Sequence, residues 1–179
     1  NSAKKISIEN FWNMAGDFGN CSHEGGVELK SGKKPEVLIM KLLRYFSKEE
    51  DLVLDSFLGS GTTCAVAHKM KRKWIGVEIG RQAEELCIKR IKNVLERDKT
   101  GISEKVNWKG GGGFKYYKLG ESLISNKDIN WNLTYEQIAE ALFYSKNFRL
   151  VENKELQKKN IFLGENRTEK GVYAICSVS

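Results

Sequence analysis

The sequence predicts an α/β fold with a parallel sheet, joined to a small α+β region at its C-terminal end. Three observations predict it. An apolar run, Leu52-Val53-Leu54, ends on Asp55 and leads into a turn holding Gly59 and Gly61, the order of strand, turn and helix. A second run, Trp74-Ile75-Gly76-Val77, ends on Glu78 and is followed by another amphipathic helix, so the chain alternates βαβα, as parallel sheets with crossover helices do. Beyond residue 126 the pattern changes to one helix and two strands that read as a hairpin. The expected layout is a lead-in over residues 1 to 34, an α/β part over 35 to 125 and an α+β region over 126 to 179.

Residues 1 to 34 are rich in Gly, Asn, Ser and Lys with scattered aromatics (Phe11, Trp12, Phe18), which reads as an extended segment pinned by a few side chains. Pro35, the only proline, suits a first helical turn because its missing N–H would be unpaired there. Leu38, Leu42 and Tyr45 or Phe46 then share one face, so that helix is expected to reach residue 46. A strand over 52 to 55, a helix over 62 to 73 and a strand over 73 to 79 follow. Ala83, Leu86, Cys87, Ile91, Val94 and Leu95 mark the next helix, ending near Arg97. Four consecutive glycines, Gly110 to Gly113, precede Phe114-Lys115-Tyr116-Tyr117-Lys118-Leu119, whose imperfect alternation predicts a strand with one wet face. In the last region Thr134 with Gln137 three residues on predicts a capping box opening a helix over 134 to 145. Strands over 160 to 163 and 172 to 177 complete the reading.

The chain has 179 residues, long enough for a real core, and 40% apolar content suits a globular domain. Its net charge of +7 and pI near 9.2 point toward a polyanionic partner. No stretch approaches the roughly 20 apolar residues of a membrane span, and no apolar signal core follows Lys4 and Lys5, so a cytoplasmic protein without a membrane partner is expected. Cys21, Cys64, Cys87 and Cys176 are dispersed, with only His23 and His68 to help, which predicts core thiols and no metal site. Residue 1 is not Met and the final strand stops with the chain, so an excised piece of a larger protein is expected.

The chemistry is expected at the strand ends. Asp55 lies at the carboxyl edge of its strand, two near-adjacent glycines allow close approach of a ligand, and Glu78 can accept ribose hydroxyl protons. Asp55 and Glu78 should sit side by side. An ATPase-type phosphate loop needs Gly-Lys-Ser/Thr, whereas Thr62 follows Gly61 here. A dinucleotide fold is closer, but Cys64 stands where its third glycine belongs, and Asp55 would face the diphosphate. S-Adenosyl-L-methionine has no phosphate and carries two cationic centres, which two acids suit better: Asp55 near the methionine end, Glu78 at the ribose. A dinucleotide-dependent oxidoreductase domain remains open. So does a DNA-binding or assembly module, motivated by Lys69, Lys71, Arg72 and Lys73 at one helix end.

At these residues the chain resembles a family. Asp55-Ser56-Phe57-Leu58-Gly59-Ser60-Gly61-Thr62-Thr63 is similar to the cofactor loop of DNA amino-methyltransferases of the β arrangement. Residues 24 to 36, ending Lys33-Lys34-Pro35-Glu36, resemble the segment preceding that loop in modification subunits of type III restriction systems; Gly76-Val77-Glu78-Ile79 and Gly111-Gly112-Gly113-Phe114-Lys115-Tyr116-Tyr117 resemble two further stretches of those subunits. The resemblance implies a Rossmann-like S-adenosylmethionine-dependent methyltransferase fold, present in part. It also implies that Gly59, Ser60, Gly61, Thr62 and Thr63 meet the cofactor, that Phe57 and Leu58 wall the pocket, and that Ile79 lies against adenine. Lys33 and Lys34 would frame the methionine carboxylate, and the Lys34-Pro35 step would help hold the methionine moiety. The implied reaction is methylation of the exocyclic amino group of adenine in double-stranded DNA, with cytosine N4 as the alternative target. Implied partners are a restriction subunit and a second copy of the full-length modification subunit.

The same family holds its target base with an Asp/Asn/Ser-Pro-Pro-aromatic motif, and a chain whose one proline is Pro35 has no Pro-Pro step. No catalytic residue is therefore expected in this chain, which is predicted to be the inactive cofactor-binding part of a larger enzyme.

Overall fold

The computed structural model describes residues 10 to 29, 31 to 120, 122 to 125, 128 to 147, 162 to 166 and 171 to 174. The chain divides into two compact units, Asn1–Tyr116 and Tyr117–Ser179.

In the first unit, β1 (Leu52–Asp55) and β2 (Lys73–Gly76) pair in parallel, Leu52 opposite Lys73 and Asp55 opposite Gly76. The helix between them, α3 (Thr62–Lys69), is buried nearly all round, because it lies at the centre of two clusters. On one side Val66, Ala67 and Met70 pack with Met40 and Leu43 of α2 (Glu36–Phe46) and with Ile102; on the other Cys64 and Ala65 meet Ile91 and Val94 of α4 (Ile88–Leu95). The α/β character is as the sequence predicts, and the described part of this sheet has two strands.

Several expectations are corrected. The lead-in is not simply extended: it holds α1 (Ala15–Asn20) and a 3-10 segment, Cys21–Gly26. α3 ends at Lys69, because Lys71 takes a positive φ of 60° and the chain reverses. The fourth helix begins as a π turn, Ala83–Cys87. Residues 114 to 119 form no strand; Phe114 instead packs against Trp74, ring centroids 6.4 Å apart, and Gly111 O lies 2.9 Å from His68 Nε2, which leaves no partner ladder for pairing.

In the second unit, α5 (Tyr135–Asn147) opens on the expected capping box: Thr134 N–H donates to Gln137 Oε1 at 2.8 Å, and Gln137 N–H donates back to Thr134 Oγ1 at 3.3 Å. Two short antiparallel pairs flank it, β3 (Ile124–Ser125) with β4 (Asp128–Ile129), and β5 (Phe162–Asn166) with β6 (Gly171–Ala174). The pairing of β5 with β6 is the expected hairpin, with ends shifted from the sequence reading. Residues 160, 161 and 175 to 177 of that reading lie outside the described residues.

Candidate functional site

The parallel register puts Asp55 and the Gly76-Val77-Glu78 step at the carboxyl ends of neighbouring strands, with Val77 N–H donating to Asp55 O at 2.8 Å. Between them lies the loop 56 to 61. Four of its main-chain N–H groups have identified acceptors. Phe57 N–H donates to Asp55 Oδ1 at 3.0 Å, Leu58 N–H to Val77 O at 3.0 Å, and Gly61 N–H to Leu58 O at 3.0 Å. Gly59 N–H donates to Glu78 Oε2 at 2.7 Å, while the other oxygen of the same carboxylate accepts from Gly80 N–H at 2.8 Å. Glu78 thus clips the loop to the end of β2, with one lone pair on each oxygen remaining.

Gly61 has φ +80°, in the left-handed region, and a Cβ there would come within 3.3 Å of Cys87 Cα. The π turn packs straight onto the loop, and Cys87 Sγ donates to Gly59 O at 3.2 Å. Burial, reinforced by the charge of Glu78, pushes the Cys87 thiol up to about 11, and burial also raises Cys64. Both are core thiols, as the spacing predicted. Among the described residues no His, Cys, Asp and Glu cluster could hold a metal.

Behind the loop lies a set of charges that sequence reading did not single out. Arg90 is fully buried on α4 and donates through Nη1 to Thr62 Oγ1 at 2.8 Å and, at 3.4 Å, to Ser60 O and Oγ. Its Nη2 donates to Glu36 Oε1 at 2.8 Å. Glu36, also fully buried, accepts on Oε2 from Lys69 at 2.8 Å and from Ile102 N–H at 3.1 Å; Lys69 reaches Asp98 at 2.7 Å as well. Gly25, φ +68°, lies so close that a Cβ would stand 2.6 Å from Arg90 Nε. The available signal was weak: charged residues on apolar helix faces, which single-sequence reading takes for solvated positions.

The predicted lysines divide. Lys33 is buried, and its three N–H donors are used on the carbonyls of Ser22, Glu24 and Val27. Burial, with Arg90 nearby, lowers its pKa below the ordinary lysine value. Lys34 is exposed, and its main-chain carbonyl accepts from Thr62 Oγ1 at 3.3 Å, which ties the lysine-proline segment to the loop. Pro35 caps α2, whose first N–H, that of Glu36, donates to Glu24 Oε2 at 2.8 Å. Of the loop residues, Ser60, Gly61 and Thr62 are buried and Leu58, Gly59 and Thr63 half-buried. Phe57, 92% exposed, and Ile79, fully exposed, stand free at the strand ends. The basic helix end is not one patch: Lys69 is buried against Glu36 and Asp98, and Arg72 binds Ser47 and Met70 carbonyls.

The parallel strand pair thus carries an acid at or just beyond each carboxyl end, Asp55 and Glu78, with the glycine loop between them, the α/β arrangement the sequence predicts. Residues 1–89 match the family model described as DNA methylase. Among named relatives, the chain is 48% identical over 103 residues to the Haemophilus influenzae protein "Probable type III restriction-modification enzyme HindVI Mod subunit", a match covering 57% of this chain and 14% of the relative. It is 39% identical over 71 residues (40% of this chain, 20% of the relative) to the type II methyltransferase M.HinfI of Haemophilus influenzae. To the type II methyltransferase M.BamHI of Bacillus amyloliquefaciens it is 33% identical over 96 residues, 54% of this chain and 21% of the relative. The matches thus span a small part of each relative's length.

Proposed function

We propose that this chain is the S-adenosyl-L-methionine-binding part of a DNA methyltransferase of a restriction-modification system, acting in the longer enzyme on the exocyclic amino group of adenine in double-stranded DNA. The similarity to a modification subunit supports the class. The observation that carries the cofactor is the Glu78 carboxylate lying on Gly59 N–H. A dinucleotide's diphosphate needs such loop N–H groups, and here one is taken by an anion with Asp55 at the neighbouring strand end, so a phosphate is repelled and a cationic ligand is drawn in. Glu78 keeps lone pairs for ribose hydroxyls, Asp55 faces the methionine end, and Phe57 and Ile79 supply apolar cover for the adenine. Pro35 and Lys34 flank the loop through Thr62, and Lys33 holds the lead-in behind them. When bound, the cofactor supplies an electrophilic sulfonium methyl. In this reading the chain provides no group that holds the target base, so the 179-residue chain alone does not methylate DNA. The restriction subunit and a second modification subunit are partners of the longer protein, in the cytoplasm.

Calorimetric titration with S-adenosylmethionine and with NAD tests this. Saturable binding of the first, weakened roughly tenfold or more by Glu78→Gln, is expected on the worth of a hydrogen bond to a charged group. Equal or tighter binding of NAD overturns the assignment.

A further inference from the structure

Three separate pieces of chain form the proposed cofactor seat: the lysine-proline step before α2, the loop before α3, and the end of β2. The first two are joined from behind by one side chain. Arg90 reaches from α4 and directs its two terminal nitrogens opposite ways, Nη1 onto Thr62 and Ser60 of the loop and Nη2 onto Glu36, the residue after Pro35. Arg90 and Glu36 are fully buried, so no water competes for these contacts. Lys69 and Ile102 N–H hold the other oxygen of Glu36 and fix the carboxylate that Arg90 docks on.

We infer that Arg90 is the positioning residue of the cofactor loop: docked on Glu36, it sets the Ser60-Gly61-Thr62 turn relative to the lysine-proline segment before any ligand arrives. This rests on the reading of the loop as the cofactor's seat. The planar guanidinium is what the task needs, because a forked cation satisfies two acceptors in different directions, whereas an ammonium is a point charge. Arg90→Lys therefore keeps the charge that balances Glu36 and loses the link to the loop. A purely charge-balancing role would be rescued by that substitution; a positioning role would not.

The test follows amide hydrogen exchange by NMR in the cofactor-free 179-residue chain, beside calorimetric binding of S-adenosylmethionine. In Arg90→Lys, the hydrogen-bonded amides of Gly59 and Gly61 are expected to exchange roughly tenfold faster while those of β1 and α2 hold their rates, and cofactor affinity falls by a similar factor. Unchanged protection at Gly59 and Gly61, or a loss spread evenly over β1, α2 and α4, overturns the proposal. Should Arg90→Lys fail to fold, Thr62→Val removes the shortest contact of that link, Arg90 Nη1 to Thr62 Oγ1 at 2.8 Å, and with it the hydroxyl's bond to Lys34 O, while the Glu36 pair stays intact. It is expected to loosen the same two amides, and wild-type protection there overturns the proposal equally. A wild-type chain that binds no S-adenosylmethionine, with the loop still loosened in the variant, sinks the cofactor reading and leaves the loop lock standing.

Discussion

The two sides of the β1-α3-β2 unit differ in kind. Behind the glycine loop, four salt-bridged side chains, Glu36, Arg90, Lys69 and Asp98, are interlocked and buried. In front, the sheet is bare: Leu52 and Leu54 are each 62% exposed, with Ile75, Val77, Phe57 and Ile79 also open to solvent. A strand pair normally buries its apolar face, so the contrast separates a shape already determined from a surface still available. The back holds the loop through buried ion pairs and hydrogen bonds, while the front leaves its apolar area open to solvent.

The sharpest way to break that contrast is to remove the charge on which the back depends. Glu36→Gln leaves Arg90 and Lys69 buried without their shared counter-ion. Stripping one partner from a buried pair costs about 3 to 5 kcal/mol, because the remaining charge cannot return to water. Leu54→Ser, on the open face, should change stability by no more than about 0.5 kcal/mol. Urea unfolding followed by tryptophan fluorescence measures both. Comparable losses would show that front and back are not distinct.

A smaller effect should be confined to the front. Asp55→Asn keeps an acceptor for Phe57 N–H and removes only the charge. Binding of S-adenosylmethionine is expected to weaken roughly tenfold, with unfolding nearly unchanged, since hydrogen bonds to a charged group exceed neutral ones by about that factor. Affinity unaffected by the substitution would remove Asp55 from the site.

The parts legible in sequence were those with a local cause. Strand β1 follows from an apolar run closed by an acid, the capping box from Thr134 and Gln137, and the placing of Asp55, Gly59, Gly61 and Glu78 from the strand-turn-helix-strand order. What stayed hidden depends on partners far apart in the chain. Arg90 and Glu36 are separated by 54 positions, and nothing in Glu36's neighbours distinguishes a buried carboxylate from a solvated helix start. The same cause explains Lys69, whose company of Lys71, Arg72 and Lys73 looked like a basic helix end until Glu36 and Asp98 drew it inside. Residues 114 to 119 failed for the complementary reason: alternation was present, but the preceding glycine run lies against His68, and a strand needs a neighbour to pair with.

Acid should loosen the back from one corner. Burial pushes the Asp98 carboxyl up, but hydrogen bonds from Lys69 and from Thr100 N–H and hydroxyl outweigh it, and hold the group below its ordinary value of 3.8. A carboxylate whose folded pKa is depressed contributes stability above its unfolded pKa and loses it as pH falls through the folded one. Glu24 has the opposite sign: burial outweighs the hydrogen bond from Glu36 N–H and, with the charge of Glu36 adding to it, raises the carboxyl above 4.5, so protonation favours the folded chain as pH falls. Asp98→Asn separates the two. Its stability should fall less steeply below about pH 4 than the wild type's, this being the unfolded carboxyl range, and parallel curves would deny Asp98 the role.

The smallest effect is a rate that reads the seam between the two sides. Cys87 lies where the π turn meets the loop, its thiol donating to Gly59 O, and burial with the nearby Glu78 pushes it up to about 11. Alkylation needs the thiolate, and at pH 8 a thiol titrating there is ionised in roughly one molecule in a thousand, besides being shielded by the packing against Gly61. Iodoacetamide at pH 8, followed by peptide mapping, should therefore leave Cys87 unmodified on the timescale that labels a free cysteine peptide completely. Any protection that survives must come from the loop staying closed, so Arg90→Lys should speed labelling at Cys87 and leave Cys64 slow, since Cys64 is fully buried on α3 against Ile91 and Val94 and not at the seam. Labelling of Cys87 at the free-peptide rate in the wild type would mean that the loop opens freely, and that the charges behind it do not set its shape.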